Sequence, residues 1–433
     1  LLFGLLFLFL IPTILKFLAK VPKEIVGNYK KLGKIGKTTS FMLLFLFALN
    51  LFGAMSPPYG IDVTAYHFSI PKLYIMNGGI KYLPSISYEG YPLGFNMLYV
   101  VGIILKNGIL AKLFAYSSGV LLALALFSFG KKFFNPTIGI ISSMIFYTLP
   151  LVIEYNVQGY VDVAAAWLVF LSVYAFINWY KNNHETKWIV LSAIFCGFSI
   201  STKIINASLA IVICAILITM IIFKKISFRE GIKDLFIFAG LAFLIYSPWF
   251  IKNLIYRGNP FFPFFYKYFG GNDWSNLIEL HYAESVNRYY LGLQYIFLVP
   301  FMISLNSLTV YSFMGWGPIF LAFVPLYFLM KKKNKALNLM LWISLLMYTL
   351  WYIISPTKTI RILYIYPFLA IVSGFIIYHI NTKYKQARKI VLVAIFLTFI
   401  FGIVLSLGIR IKTGQLSYAF GLKNEQEFYN SLN

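Results

Sequence analysis

Uncharged apolar runs approaching about 20 residues, the length an α-helix needs to cross about 30 Å of hydrocarbon, recur along most of this chain. They predict an all-α polytopic membrane protein with about twelve transmembrane helices, at 1–18, 39–55, 109–129, 137–152, 161–180, 188–202, 204–223, 234–252, 313–330, 337–354, 362–380 and 390–409. Two further apolar stretches, 93–105 and 295–309, are short or polar-edged. If either spanned, the alternation of basic and non-basic loops would break, so both read as interfacial or re-entrant segments.

Composition excludes a soluble protein. Of 433 residues, 60% are hydrophobic and 12% charged, against roughly 45–50% and about 25% in an average soluble domain. A net charge of +24 would suggest nucleic acid in a soluble chain, but here the basic residues cluster in short loops between apolar runs. Loops 19–38, 130–136, 181–187, 224–234, 331–336 and 381–389 carry 22 of the 37 Lys and Arg and 4 of the 13 acidic residues. This bias places them in the cytoplasm, and Lys331-Lys332-Lys333, directly after a span, reads as an anchor to anionic headgroups rather than to nucleic acid. Cys196 and Cys214 fall inside apolar runs and define neither a disulfide framework nor a metal spacing.

The other nine acids fall on the outer side: Asp62, Glu89, Glu154, Asp162, Asp273, Glu279, Glu284, Glu425 and Glu427. The two longest non-spanning segments, 56–108 and 253–312, are also outside, and loops that long are usually functional. The expected organisation is a transmembrane domain over 1–409 with these two outer loops, followed by 410–433, the start of an extracytoplasmic segment that continues beyond the residues present.

In the first outer loop, Pro57-Pro58-Tyr59-Gly60 ends the incoming span and Asp62 stands where it could cap a short helix beginning near Val63. Tyr66 would share its face and His67 would be adjacent. The plain structural reading is a capping Asp with an interfacial Tyr/His pair. The chemical reading is a carboxylate beside the membrane, near an imidazole, placed as a general base. The loop continues through Tyr88-Glu89-Gly90-Tyr91-Pro92-Leu93-Gly94. Asp162 opens a later span as an N-cap or, with Glu154, as one of two carboxylates around a loop without Lys or Arg. Such a pair either holds acceptor hydroxyls or helps coordinate a divalent ion, and any metal site would draw on Asp62, Glu154 and Asp162. Lys203 and Arg361 sit at span ends, where snorkelling is the ordinary explanation and gripping a lipid phosphate the functional one. Arg257 and Lys72 are second candidates for the phosphate. His281 and Arg288 match nothing specific, and His184 and His379 read as structural.

The order Asp-x-x-x-Tyr-His-x-x-x-Pro-Lys-x-Tyr from Asp62 to Tyr74, followed by Tyr-Pro-x-x-x-x-x-Leu-Tyr from Tyr91 to Tyr99, resembles the membrane-embedded glycosyltransferases of the GT-C superfamily. The likeness is to the branch of dolichyl-phosphate-mannose protein mannosyltransferases, lipid A aminoarabinose transferases and rhizobial core-oligosaccharide transferases. It extends through Tyr160-Val161-Asp162, Ser201-Thr202-Lys203, Arg257-Gly258-Asn259-Pro260, Gly315-Trp316-Gly317-Pro318 and Arg361-Ile362-Leu363-Tyr364. Ile204 departs from the pattern, since relatives often carry an aromatic there.

The resemblance implies a GT-C-like fold whose long outer loops carry short interfacial helices. It also implies inverting transfer of a sugar from a polyprenyl-phosphate donor to an acceptor hydroxyl of a lipid-linked glycan, lipid or protein. The active site would lie on the extracytoplasmic face of a plasma or inner membrane. Asp62 matches the family's first-loop Asp and would be the base. Tyr66, His67, Lys72, Tyr91, Glu154, Asp162, Lys203, Arg257, Asn259 and Arg361 would contact substrates. The alternatives are a flippase or transporter of polyprenyl-linked saccharides, which would carry charges near mid-span, and a lipid-binding scaffold in which Asn or Ser could replace Asp62.

Overall fold

A computed structural model describes residues 26–84, 86–275, 278, 280, 284, 292–304, 318–354 and 359–432. The expected first crossing at 1–18 lies outside these, as do Glu279, His281, Arg288 and the Gly315-Trp316-Gly317 motif. Among the described residues the chain is helical, without strands. The helices that carry the architecture are α1 (Lys34–Ala54), α2 (Asn96–Leu105), α3 (Gly108–Phe133), α4 (Pro136–Tyr147), α5 (Pro150–Gln158), α6 (Asp162–Lys181), α7 (Thr186–Thr202), α8 (Ala207–Ile222), α9 (Phe228–Arg257), α10 (Ile319–Phe328), α11 (Lys335–Ile354), α12 (Tyr366–Lys383) and α13 (Arg388–Lys412).

Capping chemistry sets several starts. Asn107 accepts from the Ile109 and Leu110 amides at α3, Asn135 from Ile138 at α4, and Ser227 from Glu230 at α9. Lys131, Lys132, Lys181 and Lys383 fall in last turns, where they face the negative end of the helix dipole.

Among the described residues eight helices are long and apolar enough to cross a membrane, or nine if one bent pair is a single span. The expected count of twelve also includes 1–18 and part of 313–330, which lie outside the described residues. The expected crossing 137–152 is two helices: Pro150 has no amide to donate, so α4 ends and α5 restarts at an angle of 70°. The run 188–202 becomes α7, 17 residues long. Of 313–330, the described part is the ten-residue α10. The run 93–105 forms α2, also ten residues and so about 15 Å long, too short to span.

α6 and the span 361–383 are the inner elements, 78% and 89% buried, whereas α9 and α13 are each 28% buried and form the outer face. α6 packs on α7, α3 on α4, α7 on α9 and α4 on α12. Small residues allow the closest approaches: a Cβ on Gly130 of α3 would come within 2.3 Å of the Gly139 backbone on α4.

Gly130→Val is therefore expected to destabilise the protein by about 1–3 kcal/mol through overpacking, lowering the thermal unfolding midpoint in detergent by several degrees. Gly240→Val, where nothing lies within 4 Å of the added Cβ, should leave the midpoint nearly unchanged. Equal midpoints for both variants would show that the α3–α4 contact does not constrain the fold.

Candidate functional site

The first long loop leaves α1 through Ser56-Pro57-Pro58, and buried Lys112 on α3 secures this exit. Its ammonium donates to Ser56 Oγ at 2.9 Å and to the Gly53 and Pro57 carbonyls at 3.3 and 3.2 Å. The chain then forms one π-helical turn, Val63–His67, closed by the Phe68 amide on the Val63 carbonyl at 3.0 Å. Asp62 does not cap this turn. Its own backbone is already helical (φ −68°, ψ −30°) and its side chain makes no capping hydrogen bond, so the carboxylate is not spent on local structure. Asp62, Tyr66 and His67 all line one cavity of about 170 Å³.

The opposite wall comes from the segment leading to Pro92. Buried Glu89 anchors it, pairing with Lys252 at 2.9 Å and with Arg257 at 3.3 Å and accepting from Tyr74 Oη at 3.4 Å. Flanking this anchor, Tyr88 and Tyr91 face the cavity, and Tyr88 stacks on Tyr66 with centroids 4.7 Å apart and planes 19° apart. The loop meets α7 closely: the Gly94 amide donates to the Ser201 carbonyl at 2.7 Å, and a Cβ on Gly94 would stand 2.8 Å from that oxygen. Here a glycine is required by space.

α7 stops at Thr202, and Lys203 turns extended with φ −149° and ψ 118°. Its ammonium donates to Asp162 Oδ1 at the start of α6. Asp162 is the first helical residue and makes no cap bond; it is 3% exposed and Lys203 24%. The expectation of two carboxylates without a counter-ion therefore fails. The cation comes from 41 residues away, and Glu154 is elsewhere, accepting from Gln158 at 2.8 Å. Arg361, at the head of the other inner span, completes the ring around the cavity.

Three further candidates do not line it. Arg257 is fully buried and donates to the Leu83, Ile86 and Asn272 carbonyls besides Glu89. Its place is inside the wall rather than on a substrate phosphate. Asn259 folds its own turn, donating to the Phe264 and Gly270 carbonyls and accepting from the Phe261 amide; it thereby sets Phe264, which does line the cavity. Lys72 opens onto a separate pocket with Asn107, Glu425 and Tyr429. Among the described residues no three His, Cys, Asp or Glu side chains converge as metal ligands, so Asp62, Glu154 and Asp162 do not form one cluster. Ile204, Ile205 and Phe264 line the cavity with apolar side chains that carry no chemistry of their own, so nothing in the sequence singled them out.

The site's electrostatics follow from burial. Burial, then the Asp62 and Asp162 carboxylates and Tyr91, hold the Tyr66 phenol well above its ordinary value, with Arg361 opposing. Burial and the nearby Lys203 cation push His67 down to about 3. Asn96 Nδ2 donates both to the His67 carbonyl at 2.9 Å and to His67 Nδ1 at 3.1 Å. The carbonyl fixes the orientation of the amide, which puts the imidazole proton on Nε2, and Nε2 has no hydrogen-bond partner among the described residues.

Folding thus keeps His67 neutral. Between its ordinary value of 6.5 and about 3, the unfolded chain binds a proton that the folded chain refuses. The stability contribution is full above pH 6.5 and falls with pH by about 1.4 kcal/mol per unit. In unfolding experiments from pH 7 to pH 5, the advantage of wild type over His67→Gln should shrink at that rate. A constant advantage would mean that His67 titrates normally in the folded state.

Among solved structures, the chain is similar to ArnT from Cupriavidus metallidurans bound to undecaprenyl phosphate, with a TM-score of 0.60 and 15% identity over 91% of this chain and 76% of that one. It is also similar to the Archaeoglobus fulgidus oligosaccharyltransferase in complex with Zn and sulfate, with a TM-score of 0.56 and 15% identity over 84% of this chain. It spans only 53% of that chain's length. Both are GT-C superfamily membrane glycosyltransferases, and the shared architecture shows that this chain has the GT-C fold. No curated protein matches it in sequence. The chain belongs to the family described as Domain of unknown function (DUF8201), whose model matches residues 1–366.

Proposed function

We propose that this chain is a membrane glycosyltransferase that moves a sugar from a polyprenyl-phosphate donor to an acceptor hydroxyl, with inversion, on the extracytoplasmic face. The observation that carries the reading is the cavity itself: an uncapped Asp62 carboxylate, Lys203 and Arg361 line one pocket together with Tyr66, Tyr88 and Tyr91. Sugar transfer from a phosphate needs these two kinds of group on opposite sides of the reacting carbon.

Asp62 takes the proton from the acceptor hydroxyl as its oxygen attacks the anomeric carbon. The bond to the phosphate breaks on the other face, and its electron pair leaves with the polyprenyl phosphate, inverting the configuration. Lys203 and Arg361 stabilise the departing charge. Arg361 brings a planar fork suited to phosphate, and Lys203 keeps two ammonium protons beyond the one given to Asp162. Asp162 acts as a positioning residue for Lys203. Neutral His67 offers Nε2–H to a sugar or phosphate oxygen, and the tyrosines supply faces for a sugar ring. The basic loops of the opposite side support the extracytoplasmic orientation, and the ArnT complex with undecaprenyl phosphate supports the class of donor.

The test is transfer of radiolabelled sugar from synthetic polyprenyl-phosphate donors to a membrane extract. Asp62→Asn should lose about 10²- to 10⁴-fold in rate while eluting from size exclusion as wild type does. Transfer by Asp62→Asn near the wild-type rate removes Asp62 as the base. Wild type that binds donor specifically but transfers nothing with any donor favours a flippase.

In the same assay Arg361→Ala should raise the donor KM more than the acceptor KM. An unchanged donor KM would end its assignment to the phosphate.

A further inference from the structure

Outside the catalytic cavity lies a second feature, which runs from Ile365 and Leu369 near the head of the span 361–383 to Lys333 at its other end. α10 and α11 border an apolar groove of about 450 Å³, lined by Phe320, Val324 and Phe328 of α10 and Leu341, Leu345 and Tyr348 of α11. α10 is ten residues long, so the groove follows about 15 Å of helix, a length suited to an extended hydrocarbon chain. One end opens at Lys333, which also borders a neighbouring cavity of about 880 Å³ lined by Lys331, Lys332 and Lys383.

Lys333 donates to the Tyr327 and Phe328 carbonyls at 2.8 and 2.6 Å, closing the end of α10 and holding the turn in place. Among the described residues Lys331, Lys332 and Lys383 enter no ion pair, and no Asp or Glu lines the cavity they share. Three cations with Lys333 beside them, at the mouth of an apolar groove, present the two halves of an amphiphile's complement: an anion at the interface and an alkyl chain along the helices.

We propose that this groove and lysine cluster form a binding site for an anionic glycerophospholipid of the leaflet opposite the catalytic cavity. The headgroup phosphate lies among Lys331, Lys332 and Lys383 and one acyl chain lies between α10 and α11. The headgroup end of this site is distinct from the place proposed for the donor phosphate. α12 is 18 residues long and so separates Lys383 from the Arg361 end by about 27 Å, a span that one phosphate cannot bridge. The inference does not depend on the glycosyltransferase reading.

The experiment is native mass spectrometry of the protein released from phosphatidylcholine nanodiscs doped with phosphatidylglycerol. Wild type should retain phosphatidylglycerol on the order of tenfold more than the combined variant Lys331→Gln, Lys332→Gln, Lys383→Gln. Leu345→Trp, which fills the groove without touching charge, should lower retention as well. A control that removes equal charge at another basic turn, Lys224→Gln, Lys225→Gln, Arg229→Gln, should retain the lipid as wild type does. Each variant is first checked for a monodisperse elution profile. Equal retention by wild type and the Lys331 variant overturns the proposal, as does equal loss in the control, which would mean bulk attraction only. Full retention by Leu345→Trp, or displacement of the lipid by free glycerol phosphate, would show a headgroup contact without a chain and would likewise overturn it.

Discussion

A lysine and an aspartate set among apolar helices can both stay charged only if they meet, because the cost of an unpaired charge in such surroundings runs to several kcal/mol. Lys203 and Asp162 meet where α7 ends and α6 begins. The geometry of the candidate site depends on that pairing. It ties the turn after α7 to the head of an inner helix, and the Gly94 amide ties the first long loop to the same turn through Ser201. Asp62 and the tyrosines therefore share the cavity with Lys203 on a backbone that cannot drift far.

Around this pair, charges serve two different purposes. Glu89, Lys252, Arg257 and Lys112 are buried, and where they meet a carbonyl or a carboxylate they hold loop to helix. Asp62 and Arg361 line the cavity itself. The distinction is physical: a buried ion whose hydrogen bonds are taken by protein partners stabilises a local arrangement, whereas a charge facing a cavity can meet a substrate. Arg410 belongs to the first kind, since it donates to the Ile153 carbonyl, Asn50 and Gln415 and so ties α13 to α1 and α5. The last residues continue that closure. A capped turn, Glu425–Asn430, buries Phe428 against Tyr59 and sets Tyr429 on the Pro58 carbonyl.

Asp162 and Asp62 show how sequence reasoning can misjudge a short polar residue at a helix start. Both stand where an N-cap is the ordinary reading, and neither caps. At Asp62 the backbone enters helical angles one residue early, so the side chain has no amide to reach. At Asp162 the carboxylate turns to a cation that local sequence did not contain. The same limit applied to Arg257. A basic residue beside Gly-Asn-Pro in an outer loop suggests a phosphate ligand, yet its side chain points into the wall.

The sequence by itself determined the class: apolar runs of spanning length, basic loops on one side and acids on the other leave an all-α membrane protein, because hydrocarbon admits few backbone arrangements. It also marked Asp62, Tyr66, His67, Tyr91, Asp162, Lys203 and Arg361 as chemically able residues, and all seven line one cavity. Only the tertiary structure decided which polar residues share that cavity and which are consumed in packing, as Arg257, Asn259 and Glu154 are, and where the span at Pro150 breaks. Side-chain type is written locally. Pairing across 41 residues, as between Asp162 and Lys203, depends on how helices stack, and no local pattern encodes that.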